Sequence, residues 1–181
     1  VEPSNFPTTM NDPQTALASF GQFDVRATPL QMSLVSAGIA NGGKVMYPNM
    51  VNAVIESNLQ RSSQFEAKEF SQAMTPANAA TLTKMMISAV DDSYLITNAR
   101  ISGVKVAGKT GTARRTNPKG GYYDDQYRTA FVGIAPASNP RFVVAIMVED
   151  PRVDKFGGLV AAPVFRSVMK EALRLYNVPF D

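Results

Sequence analysis

The chain has 181 residues, 45% hydrophobic and 18% charged, which suits one globular domain, or most of one, and excludes a disordered chain. It contains no His and no Cys, which excludes a Ser-His-Asp triad, a Cys nucleophile, an iron–sulfur cluster and any usual zinc site. Its 18 Lys and Arg against 15 Asp and Glu leave a formal charge of +3, too small and too scattered for a nucleic-acid surface.

Residues 1–13 carry Pro3, Pro7 and Pro13 among Ser, Asn and Thr, which predicts an irregular lead-in. The first firm element opens at Thr28-Pro29-Leu30-Gln31. Thr28 suits an N-cap, Pro29 sits where a missing N–H costs nothing, and Gln31 completes a capping box. Leu30, Leu34, Val35, Ala37 and Ile39 then make an apolar stripe at helical spacing, closed by Asn41-Gly42-Gly43.

Val45 to Ile55 is rich in β-branched residues and predicts one or two short strands broken at Pro48. Residues 56–74 are polar and mixed, and predict a surface excursion. Thr75-Pro76 repeats the cap-then-proline opening, with Ala79, Leu82, Met85, Met86 and Ala89 at helical spacing behind it. Asp91-Asp92-Ser93 reads as a turn.

Three β-rich segments follow, Val104 to Ala113, Arg128 to Ala135 and Arg141 to Asp150. The short polar link at 136–140 predicts an antiparallel hairpin between the last two. Arg114, Arg115 and Lys119, with Asp124 and Asp125 close behind, read as a solvated loop that also carries Tyr122, Tyr123 and Tyr127. Ala161 to Tyr176 presents Val164, Phe165, Val168, Met169, Ala172, Leu173 and Tyr176 as a wide apolar helical face. The order helix, strand, helix, three strands, helix predicts an α+β fold, with helices packed on a mostly antiparallel sheet.

The chemistry concentrates in Val106-Ala107-Gly108-Lys109-Thr110-Gly111-Thr112-Ala113. On a strand, period two puts Thr110 and Thr112 on one face and Lys109 and Gly111 on the other. Two hydroxyls side by side can grip a carboxylate, with a cation beneath to bias the field. Gly111 removes a side chain where a ligand must lie against the backbone. The Thr112 amide is a candidate oxyanion donor, a contribution worth roughly 3–4 kcal/mol. An ordinary strand of small residues carries the same tripeptide, so Lys-Thr-Gly alone does not decide.

Context does. Lys-Thr-Gly on a strand is one of three motifs shared by penicillin-binding proteins and serine β-lactamases. Over nearly its whole length the chain resembles the carboxy-terminal part of a class B penicillin-binding protein, a D,D-transpeptidase. The resemblance rests on Val25-Arg26-Ala27-Thr28-Pro29-Leu30-Gln31, Ala40-Asn41-Gly42-Gly43 and Ala107 to Ala113. It also rests on Phe131-Val132-Gly133-Ile134-Ala135-Pro136-Ala137 and Gly157 to Phe165. The first half looks like one branch of the class, and the last 75 or so residues more like division-type members.

The resemblance implies that Lys109 reaches toward the serine of the family's Ser-x-Asn motif. It further implies that Thr110 and Thr112 hold the carboxylate of a stem peptide or a β-lactam, and that the Thr112 N–H forms half an oxyanion hole. Phe156, before Gly157-Gly158, is the implied aromatic lining the cleft; a core residue at a strand end is the competing reading.

The family's Ser-x-x-Lys nucleophile starts a helix far upstream of Lys-Thr-Gly, where the spacing puts both side chains on one face. The only such string here is Ser102-Gly103-Val104-Lys105, which enters a predicted strand and reads as a decoy. No Ser-x-Asn string occurs. The expectation is therefore a carboxy-terminal portion, residues 1–181, of a transpeptidase domain, cut from a longer polypeptide and inactive alone. The resemblance implies a parent anchored in the cytoplasmic membrane with its catalytic domain outside, cell-wall stem peptides and β-lactams as ligands, a membrane glycan polymerase as partner, and no metal or cofactor. The alternatives are a β-lactamase or β-lactam sensor fragment, and a non-catalytic cell-wall-binding module on the same sheet. Lacking the helix that a Lys-Thr-Gly strand normally covers, the chain is expected to pair or exchange segments between copies.

Overall fold

A computed structural model describes residues 3–181. The elements in order are helices α1 (Asp12–Ala18) and α2 (Pro29–Ala40), strands β1 (Lys44–Met46), β2 (Ala53–Ile55), β3 (Arg61–Gln64) and β4 (Glu69–Gln72), and helix α3 (Pro76–Asp91). A 3₁₀ turn (Thr97–Ala99) leads to strands β5 (Ala107–Thr116), β6 (Tyr122–Ala135) and β7 (Phe142–Glu149), and the chain finishes in α4 (Gly157–Leu175). The α+β class and the antiparallel pairing expected from the sequence are both present.

The principal sheet has the order β5-β6-β7, each strand antiparallel to its chain neighbour. Period two sends alternate rows to opposite faces. Thr110, Phe131 and Ile146 form one row, and Lys109, Val132 and Ala145 the next. The first set meets α4, where Phe131 and Phe165 sit with ring centroids 4.7 Å apart inside a core shared with Val90, Val106, Met169 and Leu173. The second set meets α2 and α3 through Met86, Ala107, Ile134 and Val143. The sheet is thus covered on both sides, with β5 and β7 as its edges.

The caps formed as their chemistry directs. Thr28 and Thr75 side chains accept from the amides of Gln31 and Asn78, each ahead of a first-turn proline. Only the threonine half of the predicted box at α2 is present. The complete capping box belongs to α1, between Asn11 and Gln14, inside and just after the stretch predicted to be irregular. The expected excursion at 56–74 contains two strands: β4 pairs with β1, and β3 pairs with β2. The expected loop between Arg114 and Tyr127 is mostly the continuation of β5 and β6, so the three tyrosines lie on β6.

The apolar stripes are wider than the surfaces they meet. On α4, Phe165, Met169 and Leu173 are buried, whereas Val164 and Val168 are exposed; on α2 the buried positions are Ser36 and Gly38, and Leu30 and Val35 are exposed. The last helix begins at Gly157 rather than Ala161, because Gly157 and Gly158 let its first turn lie against backbone. A Cβ on Gly158 would sit 1.9 Å from the Leu95 carbonyl oxygen.

Candidate active-site strand

Lys109, Thr110, Gly111 and Thr112 lie extended on β5, the free edge of the sheet. The carbonyl oxygens of Gly111 and Ala130 both approach the point where a Gly157 Cβ would be, at 3.0 and 2.3 Å, so these register partners face each other across the ladder. Backbone groups alternate along a strand. The peptide groups of Thr110 and Thr112 therefore point out of the sheet, toward open solvent. Lys109 Nζ donates to the outward Thr110 carbonyl at 2.7 Å.

The side chains divide as period two requires. Lys109 and Gly111 lie on the α2 face, beside a cavity of about 200 Å³ whose other walls include Ala27, Pro29 and Met32. Thr110 and Thr112 lie on the α4 face. Thr112 is exposed, and Thr110 is half-buried beneath Gly157. The Gly157 amide donates to Thr112 Oγ1 at 3.3 Å. A hydroxyl has one proton to give and two lone pairs. Accepting from Gly157 fixes the Thr112 oxygen and leaves its proton for a ligand anion.

Phe156 stands at the N-cap of α4, 46% exposed, on the segment whose next residue touches Thr112. It is neither in the core nor at a strand end. Its segment is held by residues the sequence did not single out. Buried Thr129, the register partner of Thr112, donates its hydroxyl to the Lys155 carbonyl, and Asp154 Oδ1 accepts from the Phe156 amide at 2.9 Å. The Lys155 ammonium lies 4.9 Å from the Tyr127 ring centroid and 5.7 Å from that of Phe156. Its hydrogen bond to the Tyr127 phenol, 3.4 Å long, outweighs burial and holds that group below the usual tyrosine range; Arg114 pulls the same way. The sequence signal for this cluster was faint. Only the Gly157-Gly158 pair marked the close approach, and Thr129 carries no local pattern at all.

Ser102 and Lys105 do not form a catalytic pair. Ser102 and Gly103 are the corner of a tight turn closed by the Val104 amide on the Ile101 carbonyl, with Gly103 at φ +74°. The string lies before β5, not in a strand as its composition suggested. Lys105 Nζ pairs with Asp91 at 3.0 Å instead.

The penicillin binding protein transpeptidase domain family matches residues 3–170. Among curated proteins, the probable peptidoglycan D,D-transpeptidase PbpC of Pseudomonas aeruginosa is 38% identical over 92% of this chain and 27% of its own length. The peptidoglycan D,D-transpeptidase PbpA of Mycolicibacterium smegmatis is 37% identical over 87% of this chain and 32% of its own length. Among solved structures, the ceftriaxone acyl-enzyme complex of penicillin-binding protein A from M. tuberculosis superposes with a TM-score of 0.78 at 35% identity, covering 87% of this chain and 35% of that one. The chain spans about a third or less of the length of these relatives.

Proposed function

The chain belongs to the penicillin-binding protein transpeptidase family, and from that premise we propose that it is the Lys-Thr-Gly-bearing part of a peptidoglycan D,D-transpeptidase. The observation that carries this reading is the open edge of β5, with a cation on one face, a free hydroxyl proton on the other and outward peptide groups between them.

In this reading the family's roles fall on these residues. A serine from outside this chain attacks the carbonyl carbon of a stem peptide's penultimate D-alanine, and the terminal D-alanine departs as the amine. An amine of a second stem peptide then attacks the ester and regenerates the serine. The outward Thr112 N–H donates to the oxyanion in both steps. The Thr112 hydroxyl, backed by Thr110, binds the substrate carboxylate, and Lys109 supplies the positive field and reaches toward the Ser-x-Asn serine. Gly111 keeps the approach to the strand clear. Phe156 lines the outer wall. A β-lactam enters the same site and is trapped as the ester. The parent sits outside the cytoplasmic membrane on an amino-terminal anchor and works beside a membrane glycan polymerase. Among the described residues no helix is long and apolar enough to cross a membrane.

Alone, the chain holds carboxylate grip and one oxyanion donor but no acyl acceptor. Loss of the nucleophile costs on the order of a millionfold in another serine acyl-transfer enzyme. Fluorescent penicillin is expected to leave this chain unlabelled. Paired with the amino-terminal portion of a PbpA relative, it is expected to restore labelling on that portion, and Lys109→Ala in this chain abolishes the restored signal. An adduct on Ser102, or no labelling in any pairing, overturns the assignment. Copies of the chain are also expected to associate through apolar surface such as Val164 and Val168; light scattering that reports a monomer at every concentration refutes that.

A further inference from the structure

A second cavity, about 260 Å³, lies between residues 21–27 and the β5–β6 hairpin. Ala27 lines both it and the cavity beside Lys109, so the two are neighbours on either side of that residue. The second cavity is lined by Arg26, Arg115 and Arg128, and by Arg114, whose side chain the strand alternation turns to the α4 face beside Tyr127; Asp24 is the one carboxylate among the lining residues. The acids that pair with three of these arginines lie outside the lining. Asp124 meets Arg114 at 3.3 Å, and Glu149 is shared between Arg115 at 3.2 Å and Arg128 at 3.1 Å. Arg26 meets Asp24 at 2.7 Å.

Solvent-exposed pairs of this kind are weak, so an incoming anion exchanges with them at little cost. A guanidinium presents planar, forked donors that match a carboxylate in two places at once. Phe23, Val25, Ala27 and Ala113 suit the hydrocarbon between charged groups, and Gln22, Thr116 and Tyr122 add polar groups to the same wall. Phe23 holds φ +63°, a conformation uncommon for an aromatic residue and one that turns the chain around the cavity mouth.

We infer that this cavity is a carboxylate-binding subsite that takes an acidic stretch of the peptide substrate, next to the Lys-Thr-Gly strand. The identification of the ligand as a peptide rests on the transpeptidase reading; the anion chemistry does not.

Residue-resolved NMR titration of this chain with glutarate, glutaramide and inorganic phosphate tests it. Glutarate is expected to shift, saturably, the Arg26, Arg115 and Arg128 guanidinium signals and the amides of residues 22–27, and neutral glutaramide is expected to shift none. Arg128→Gln and Arg26→Gln are each expected to weaken glutarate by about tenfold, the loss of one forked contact. Arg26 is the more exposed of the two, so it keeps the test if the Arg128 variant fails to fold. Phosphate binding as tightly as glutarate overturns the carboxylate assignment. Equal shifts at Arg61 on the separate β2–β3 ribbon, or glutarate binding unaffected by both substitutions, overturns the subsite itself. Failed penicillin labelling with intact glutarate binding removes the peptide reading and leaves the anion cavity standing.

Discussion

The sheet of residues 107–149 and the strands of residues 44–72 are built on the same antiparallel pairing, yet they end in opposite environments. In the first, Phe131, Ile134 and Ala135 are fully buried, with helices on both faces. In the second, β1–β4 and β2–β3 are separate two-stranded ribbons in which Val54 and Ile55 remain 48% and 61% exposed and no strand residue is buried. Hydrogen bonding is common to both, so burial makes the difference. The candidate site sits on the edge of the region whose position the core determines.

That contrast can be broken from the core outward. Phe165→Ala empties the space against Phe131 and is expected to cost about 3–5 kcal/mol in chemical denaturation. A loss no larger than that of a ribbon substitution would end the distinction. Gly158→Ala forces a methyl onto the Leu95 carbonyl oxygen and is expected to cost about 1–3 kcal/mol, measured the same way. Thr129→Val keeps the shape but orphans the Lys155 carbonyl, for about 1–3 kcal/mol, and hydrogen exchange at residues 154–157 is expected to quicken. Ser63→Ala in β3 is expected to fall within about 0.5 kcal/mol of zero.

The smallest effect sharpens the rim instead. Because Lys155 lowers the Tyr127 pKa, tyrosinate forms at lower pH in the folded chain than in the unfolded one. Lys155→Met is expected to raise that midpoint toward the ordinary tyrosine range, read by ultraviolet difference absorbance; an unchanged midpoint would show that the ammonium does not hold the phenol.

The same contrast explains what was legible in the sequence. Helices α2 and α3 announce themselves by Thr-Pro openings, and β5 to β7 by β-branched residues and short links. Strands β3 and β4 are polar and short. They exist because β2 and β1 are there to pair with, and no local periodicity encodes a partner. Helix α1 was hidden by the prolines around it, although Asn11 and Gln14 carried its cap. At the site, the extended run at 109–112 and its alternation could be read directly. The Thr112–Gly157 contact and the Thr129 tether span distances along the chain that only the folded state closes. The exposed halves of the α2 and α4 stripes show the opposite error: the periodicity was right, and the partner surface was narrower than the stripe.

The strand order β5-β6-β7 has a kinetic consequence. Each pairing joins consecutive strands, closed by residues 117–121 and 136–141, so the ladder can assemble by short-range zippering with little loop entropy to overcome. The candidate edge, β5, can then be laid down early, from the carboxy-terminal half of the polypeptide, as a template onto which the amino-terminal third condenses.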